Sequence, residues 1–170
     1  MALAIGDEAP NFDLSSTEGV LLMLRDEVIR TAQLLYLFAD AGSDRVQGDL
    51  EALNRSLDAL AELRCRVLAV SPTPLKELAT LQVERQLLFP LLHDDRNFSA
   101  AYGVAAEEGK PAAPALFLVS RTQRLLWLAN PVGNAEEAIS QVLKLLKSQP
   151  SPTASYPKSV INRLVDRWVN

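Results

Sequence analysis

The chain carries one cysteine and one histidine. Cys65 is therefore the sole candidate thiolate nucleophile. Arg64 and Arg66 flank it, charges of the sign that lowers a thiol pKa. His93 is the sole imidazole, the side chain that titrates nearest neutrality, and Asp94 and Asp95 follow it. Nucleophilic catalysis would need a thiol and a base in mutual reach. The local sequence argues for quieter roles. Cys65 opens the run Cys65–Ser71, in which Cys65, Val67 and Ala69 share one strand face, and a free cysteine so placed behaves as a small buried hydrophobe. His93 beside two carboxylates reads as a loop or surface histidine. Adjacent aspartate side chains diverge and no third ligand is obvious, so Asp94 and Asp95 suit capping of a short helix near Asn97 better than a metal. One Cys and one His exclude a standard zinc site and an intrachain disulfide. No cofactor is expected.

The elements that would position these groups alternate between strand and helix. Phe12–Leu14 and Val20–Leu24 read as short strands around a Ser/Thr/Gly turn. The run 33–39 has the length and apolarity of a central strand. Leu50, Leu53, Leu57, Leu60 and Leu63 recur at steps of three and four, the stripe of one amphipathic helix. Cys65–Ser71 is a second buried strand. Thr73 and Pro74 read as the cap and first residue of a helix reaching about Gln86. Residues 97–102 form a short helix closed by Gly103. Ala115–Ser120 and Arg124–Ala129 form a hairpin through Arg121-Thr122-Gln123. Asn134, with Glu137 three residues on, opens a helix that carries Ile139, Val142, Leu143 and Leu146 on one face. A parallel βαβ unit followed by an antiparallel pair demands a mixed central sheet flanked by helices, an α/β domain of thioredoxin-like order.

Composition agrees with one such domain. The 170 residues are 48% hydrophobic and 22% charged, ordinary values for a globular protein. The formal net charge of −4 gives no electrostatic reason to expect nucleic acid. The longest apolar runs fall far short of the roughly 20 residues needed to span a bilayer. Five residues precede Gly6, too few for a signal peptide, and the expectation is a cytoplasmic protein.

Four stretches resemble a known family. Gly6-Asp7-Glu8-Ala9-Pro10-Asn11-Phe12-Asp13-Leu14 is similar to its opening segment, and Leu34-Leu35-Tyr36-Leu37-Phe38 to the strand that leads into its active site. Val67-Leu68-Ala69-Val70-Ser71 is similar to the next parallel strand. Phe89-Pro90-Leu91-Leu92-His93-Asp94-Asp95 with Ala101-Tyr102-Gly103-Val104 resembles a further run of the same family. The resemblance is to the alkyl hydroperoxide reductase / thiol-specific antioxidant family, the peroxiredoxins, nearest the bacterioferritin comigratory (peroxiredoxin Q) type. It covers about residues 3 to 147.

That family implies a proline, a threonine and a cysteine at a helix start, and an arginine from a later strand. Helix dipole and arginine lower the cysteine pKa, and peroxide binds between them. Counting without gaps from 67–71, the proline position falls on Ala39, the threonine on Ser43 and the peroxidatic cysteine on Val46. The second cysteine of some members falls on Glu51, and the arginine near Pro114. Only Ser43 keeps a suitable group, and the reading favoured for it is a helix-capping or turn serine. Valine cannot ionise, attack or be oxidised. Pro114 is also where thioredoxin-like folds often place a cis proline, and the sequence leaves cis and trans open.

The tail departs from the family. The organisation expected is a domain at 1–147, a Pro/Ser-rich linker at 148–157 and an amphipathic helix at 158–170. Ile161, Leu164, Val165 and Trp168 fall on one stripe of that helix and are its candidate partner-binding residues. A fold-back onto the domain or a homodimer mate is favoured over a different protein, and a membrane surface ranks last. The expected function is non-catalytic: a pseudoenzyme of an antioxidant, oxidoreductase-like family acting in protein binding, as scaffold or regulator. The alternative is a thiol peroxidase acting through Cys65.

Overall fold

The computed structural model describes residues 3–95, 97–104 and 112–149. The expected linker beyond 149 and helix at 158–170, with Ile161, Leu164, Val165 and Trp168, lie outside the described residues.

Chain order is β1 (Asp13–Ser15), β2 (Leu21–Met23), α1 (Leu24–Arg30), β3 (Ala32–Leu37), α2 (Asp44–Arg55), α3 (Leu57–Glu62), β4 (Cys65–Ser71), α4 (Leu75–Glu84), β5 (Leu91–His93), α5 (Asn97–Ala101), β6 (Ala115–Val119), β7 (Leu125–Ala129) and α6 (Ala135–Ser148). β1 and β2 form an antiparallel hairpin. The other five strands form one mixed sheet in the order β5-β4-β3-β6-β7. β3, β4 and β5 run parallel, while β6 pairs antiparallel with both β3 and β7. This is the mixed, helix-flanked sheet expected from the alternating pattern.

Side-chain parity divides the core into two. Leu34, Tyr36, Phe38, Cys65, Val67 and Ala69 project to one face and pack with α2, α4 and α6. Leu35, Leu37, Leu68, Val70 and Phe117 project to the other and pack with the hairpin, α1 and α5. Strands covered on both faces must be apolar throughout, and β3, β6 and nearly all of β4 are buried along their length.

Three local expectations are corrected, and the isomer left open at Pro114 is trans. The strand expected over Val20–Leu24 is confined to Leu21–Met23, and Leu24 instead opens a two-turn helix, α1, whose Leu24 and Val28 at i, i+4 are its buried residues. The leucine stripe is two helices, because Ser56 interrupts it at φ −98°, ψ 0° and turns its hydroxyl onto the Ala52 carbonyl at 2.9 Å. Pro74, not Thr73, holds the cap position of α4, and the Thr73 hydroxyl accepts from Ser71 Oγ instead. Pro114 is preceded by a trans bond, and the cis bond among the described residues is Asn130-Pro131.

Other caps stand as the sequence implied. Asn134 accepts from the Glu137 amide at 3.1 Å. Asp94 accepts from the Phe98 and Ser99 amides at 3.2 and 3.0 Å. Gly103 takes φ 74°, the left-handed region that closes a helix.

Candidate functional site

The C-terminal end of β3 delivers the chain to the start of α2 through residues 38–43. Asp40 closes this loop, its carboxylate accepting from the Gly42 amide at 3.0 Å and its carbonyl from the Ser43 amide at 3.2 Å. Gln47 reaches back to the Ala41 carbonyl at 3.1 Å. Ser43 is the N-cap of α2, with its hydroxyl accepting from the Val46 amide at 3.4 Å. The capping role therefore accounts for Ser43. Ala39 is half-buried and offers no functional group.

Val46 sits one turn inside, at the third helical position, and is 2% exposed. It belongs to the core between α2 and the sheet. A side chain at this place projects into packed hydrocarbon, and valine adds β-branched bulk without polarity. Glu51 lies further along α2 and forms an ion pair with Arg85 at 3.0 Å. Pro114 immediately precedes β6, with its carbonyl accepting from the Val132 amide at 2.8 Å.

A cluster that the sequence reading missed occupies the neighbourhood. Asp49 is 6% exposed although it is ionisable. It accepts from the Tyr36 hydroxyl at 2.7 Å and from Arg45 Nε at 3.2 Å. The Arg45 Nη2 donates to the carbonyls of Val132 and Gly133, at 2.6 and 2.7 Å. One guanidinium thus ties α2 to the loop after β7, beside the Pro114 carbonyl. Burial, followed by the bond and the charge of Asp49, pushes the Tyr36 phenol above its ordinary range. A signal did exist in the sequence. Val46, Asp49, Leu50 and Leu53 follow the i, i+3, i+4, i+7 stripe of α2, so Asp49 is a carboxylate on an apolar face, and Arg45 stands four residues before it.

Cys65 is far from this place. It pairs with Ala32, at the opening of β3, whereas α2 starts beyond the opposite end of that strand. Five residues of extended chain between Ala32 and Leu37 separate the two ends by about 17 Å. The thiol is 4% exposed, and burial pushes its pKa up to about 12. The thiol donates to the Arg66 carbonyl at 3.8 Å, and a backbone hydrogen bond from Leu34 offsets part of the effect of burial. Arg66 itself pairs with Glu27 and lies near Glu18, so its charge is not directed at the sulfur. His93 is also engaged elsewhere: Nδ1 lies 2.8 Å from the Thr73 carbonyl, at the end of β5. The structure does not bring Cys65, His93 and Ser43 together. Among the described residues, no group of three or more His, Cys, Asp or Glu side chains could hold a metal ion. No helix among them is long and apolar enough to cross a membrane.

Fold and loop order together define a class, the thioredoxin-like peroxiredoxin domain. The family model of the AhpC/TSA family matches residues 5–127, and the chain belongs to that family. Similar solved structures include the peroxidoxin BcpB from Mycobacterium tuberculosis, at 20% identity and TM-score 0.80, covering 86% of this chain and 98% of that one. A cysteine-to-serine mutant of PrxQ from Xylella fastidiosa matches at 21% identity and TM-score 0.78, over 87% of this chain and 98% of its own. AhpC from Mycobacterium bovis matches at 17% identity and TM-score 0.76, over 92% and 99%. At these identities the likeness establishes the fold. No curated protein matches the sequence.

Proposed function

We propose that this chain is a non-catalytic member of the AhpC/TSA family, a protein that acts by binding, as scaffold or regulator, and not by reducing peroxide. One observation carries the reading: Val46, buried in the core at 2% exposure, stands where the family resemblance assigns the reactive cysteine. Peroxide reduction by a thiol begins with attack of a thiolate on the O–O bond, leaving a sulfenic acid and releasing water or alcohol. Valine has no atom that can take part. Two further features support the same reading. Pro114 supplies no positive charge, and Arg45, the guanidinium nearest the helix start, is committed to Asp49 and to two carbonyls.

The alternative of a peroxidase acting through Cys65 has no supporting feature. Its thiol is buried, its pKa is raised, and it lies at the opposite end of the sheet from the loop that the family uses. The deciding experiment follows hydrogen peroxide and an organic hydroperoxide with excess dithiol reductant. Wild type and Cys65→Ser should consume both at the same rate as buffer. Turnover lost on Cys65→Ser would overturn the proposal.

A further inference from the structure

The end of the sheet opposite the α2 loop carries a groove of about 650 Å³. Its walls are the α3–β4 turn, the β6–β7 turn and the last turn of α6. Leu63, Leu126 and Leu146 form an apolar floor, each half-buried against the domain. Gln149 also lines it, and Gln149 is the last described residue before the tail. The chain therefore leaves α6 at the rim of an apolar groove. The sequence that follows holds a Pro/Ser-rich stretch and then Ile161, Leu164, Val165 and Trp168 at helical spacing.

We propose that the segment 158–170 folds back as a helix and seats this stripe in the groove of its own domain. The linker at 150–157 spans up to about 25 Å if extended, at roughly 3.1 Å per residue, which is ample for a turn back onto the anchoring helix. Tethering selects the occupant. A short tether long enough to span the distance gives an effective concentration in the millimolar range, far above that of a second copy in solution. An isolated helix of this length is marginal in water, and covering its apolar face on the groove supplies what it lacks.

Charge bears on the orientation. The rim carries Arg64, Arg121, Arg124 and Lys147 against Glu62, and the tail helix carries Lys158, Arg163 and Arg167 against Asp166. Like charges require the tail cations to face solvent, and the sequence places Arg163 and Arg167 opposite the apolar stripe. Asp166 lies on that outer face too, so the docking rests on apolar contact.

The test uses the full chain with Trp127→Phe, which leaves Trp168 as its one tryptophan. Trp168 emission should be blue-shifted and shielded from acrylamide, independently of protein concentration. Leu63→Asp should raise acrylamide quenching several-fold. Leu164→Asp, which leaves the domain untouched, should speed amide exchange at the groove walls, 62–64, 120–126 and 146–149, and leave the opposite end of the sheet unchanged. It decides the matter if Leu63→Asp fails to fold. A solvent-exposed Trp168 in the folded chain would overturn the proposal. So would shielding that grows with protein concentration, which denotes a second copy, or groove amides indifferent to Leu164→Asp.

Discussion

The Tyr36 hydroxyl donates to Asp49 Oδ2 across 2.7 Å, joining the central strand β3 to the first turns of α2 inside the core. Both residues are almost completely buried, and Arg45 Nε completes the carboxylate from the solvent side. The bond sits under the helix start at which the family would hold a reactive thiol. It fixes α2 against the sheet by polar contacts that require particular partners, whereas apolar packing alone would tolerate sliding.

Removing either end of that bond should cost unequal amounts. Tyr36→Phe leaves Asp49 its guanidinium and should lower unfolding stability by about 1 kcal/mol. Asp49→Leu strands the phenol without an acceptor and should cost about 2–3 kcal/mol. The Arg45 side chain is 46% exposed, so its pair with Asp49 contributes little on its own. Urea unfolding of the two single variants and the double variant should return a coupling of about 1 kcal/mol. Strict additivity would show that the bond does not form in solution.

Cys65 should resist alkylation by iodoacetamide in the native protein at neutral pH and react fully in denaturant. The thiol is buried and its pKa lies at about 12, so native labelling requires an opening of the sheet edge. Rapid native labelling, or a sulfenic acid after mild peroxide, would contradict the placement.

Stability should fall on the alkaline side with a sign set by this same thiol. Its ordinary pKa is 9.0, and the fold raises it to about 12. The contribution is complete below pH 9 and is lost as pH rises toward 12, because the unfolded chain ionises first. The slope should approach about 1.4 kcal/mol per pH unit in that window. Cys65→Val should flatten the urea midpoint between about pH 8 and about pH 10. Above pH 10 the Tyr36 and Tyr102 phenols, raised by burial, add a loss of the same sign.

Val46→Cys should fold and remain without peroxidase activity. The substitution is close in volume and should change stability by less than about 1.5 kcal/mol. The new thiol would lie in packed core beside a committed Arg45, with Pro114 where a charge is needed. Peroxide turnover well above wild type would show that the site lacks only its nucleophile.

The two caps should differ in weight. Asn134 accepts at 3.1 Å and Ser43 at 3.4 Å. Asn134→Ala should cost about 1 kcal/mol and Ser43→Ala nearer about 0.5 kcal/mol, by thermal or urea unfolding. Equal losses would mean that the longer contact tightens in solution.

Much of the architecture was legible because it depends on local pattern. Continuous apolar runs at 34–38 and 67–70 dictated strands covered on both faces. The Asn134–Glu137 spacing dictated the start of α6, and the lack of any cysteine before Cys65 was a plain fact of composition. Single-residue geometry was not legible. A cap at Pro74 in place of Thr73, a break at Ser56 and a trans bond at Pro114 depend on how neighbouring carbonyls and hydroxyls are satisfied, which sequence spacing does not specify. The Arg45–Asp49 spacing was visible, but Tyr36 and the carbonyls of Val132 and Gly133 lie far away along the chain. Only the sheet order, with β6 inserted beside β3, brings that loop to the head of α2. By itself, then, the sequence determined which side chains exist to do chemistry. Tertiary structure decided which of them meet, because contacts between distant segments arise from packing two helix layers onto one sheet.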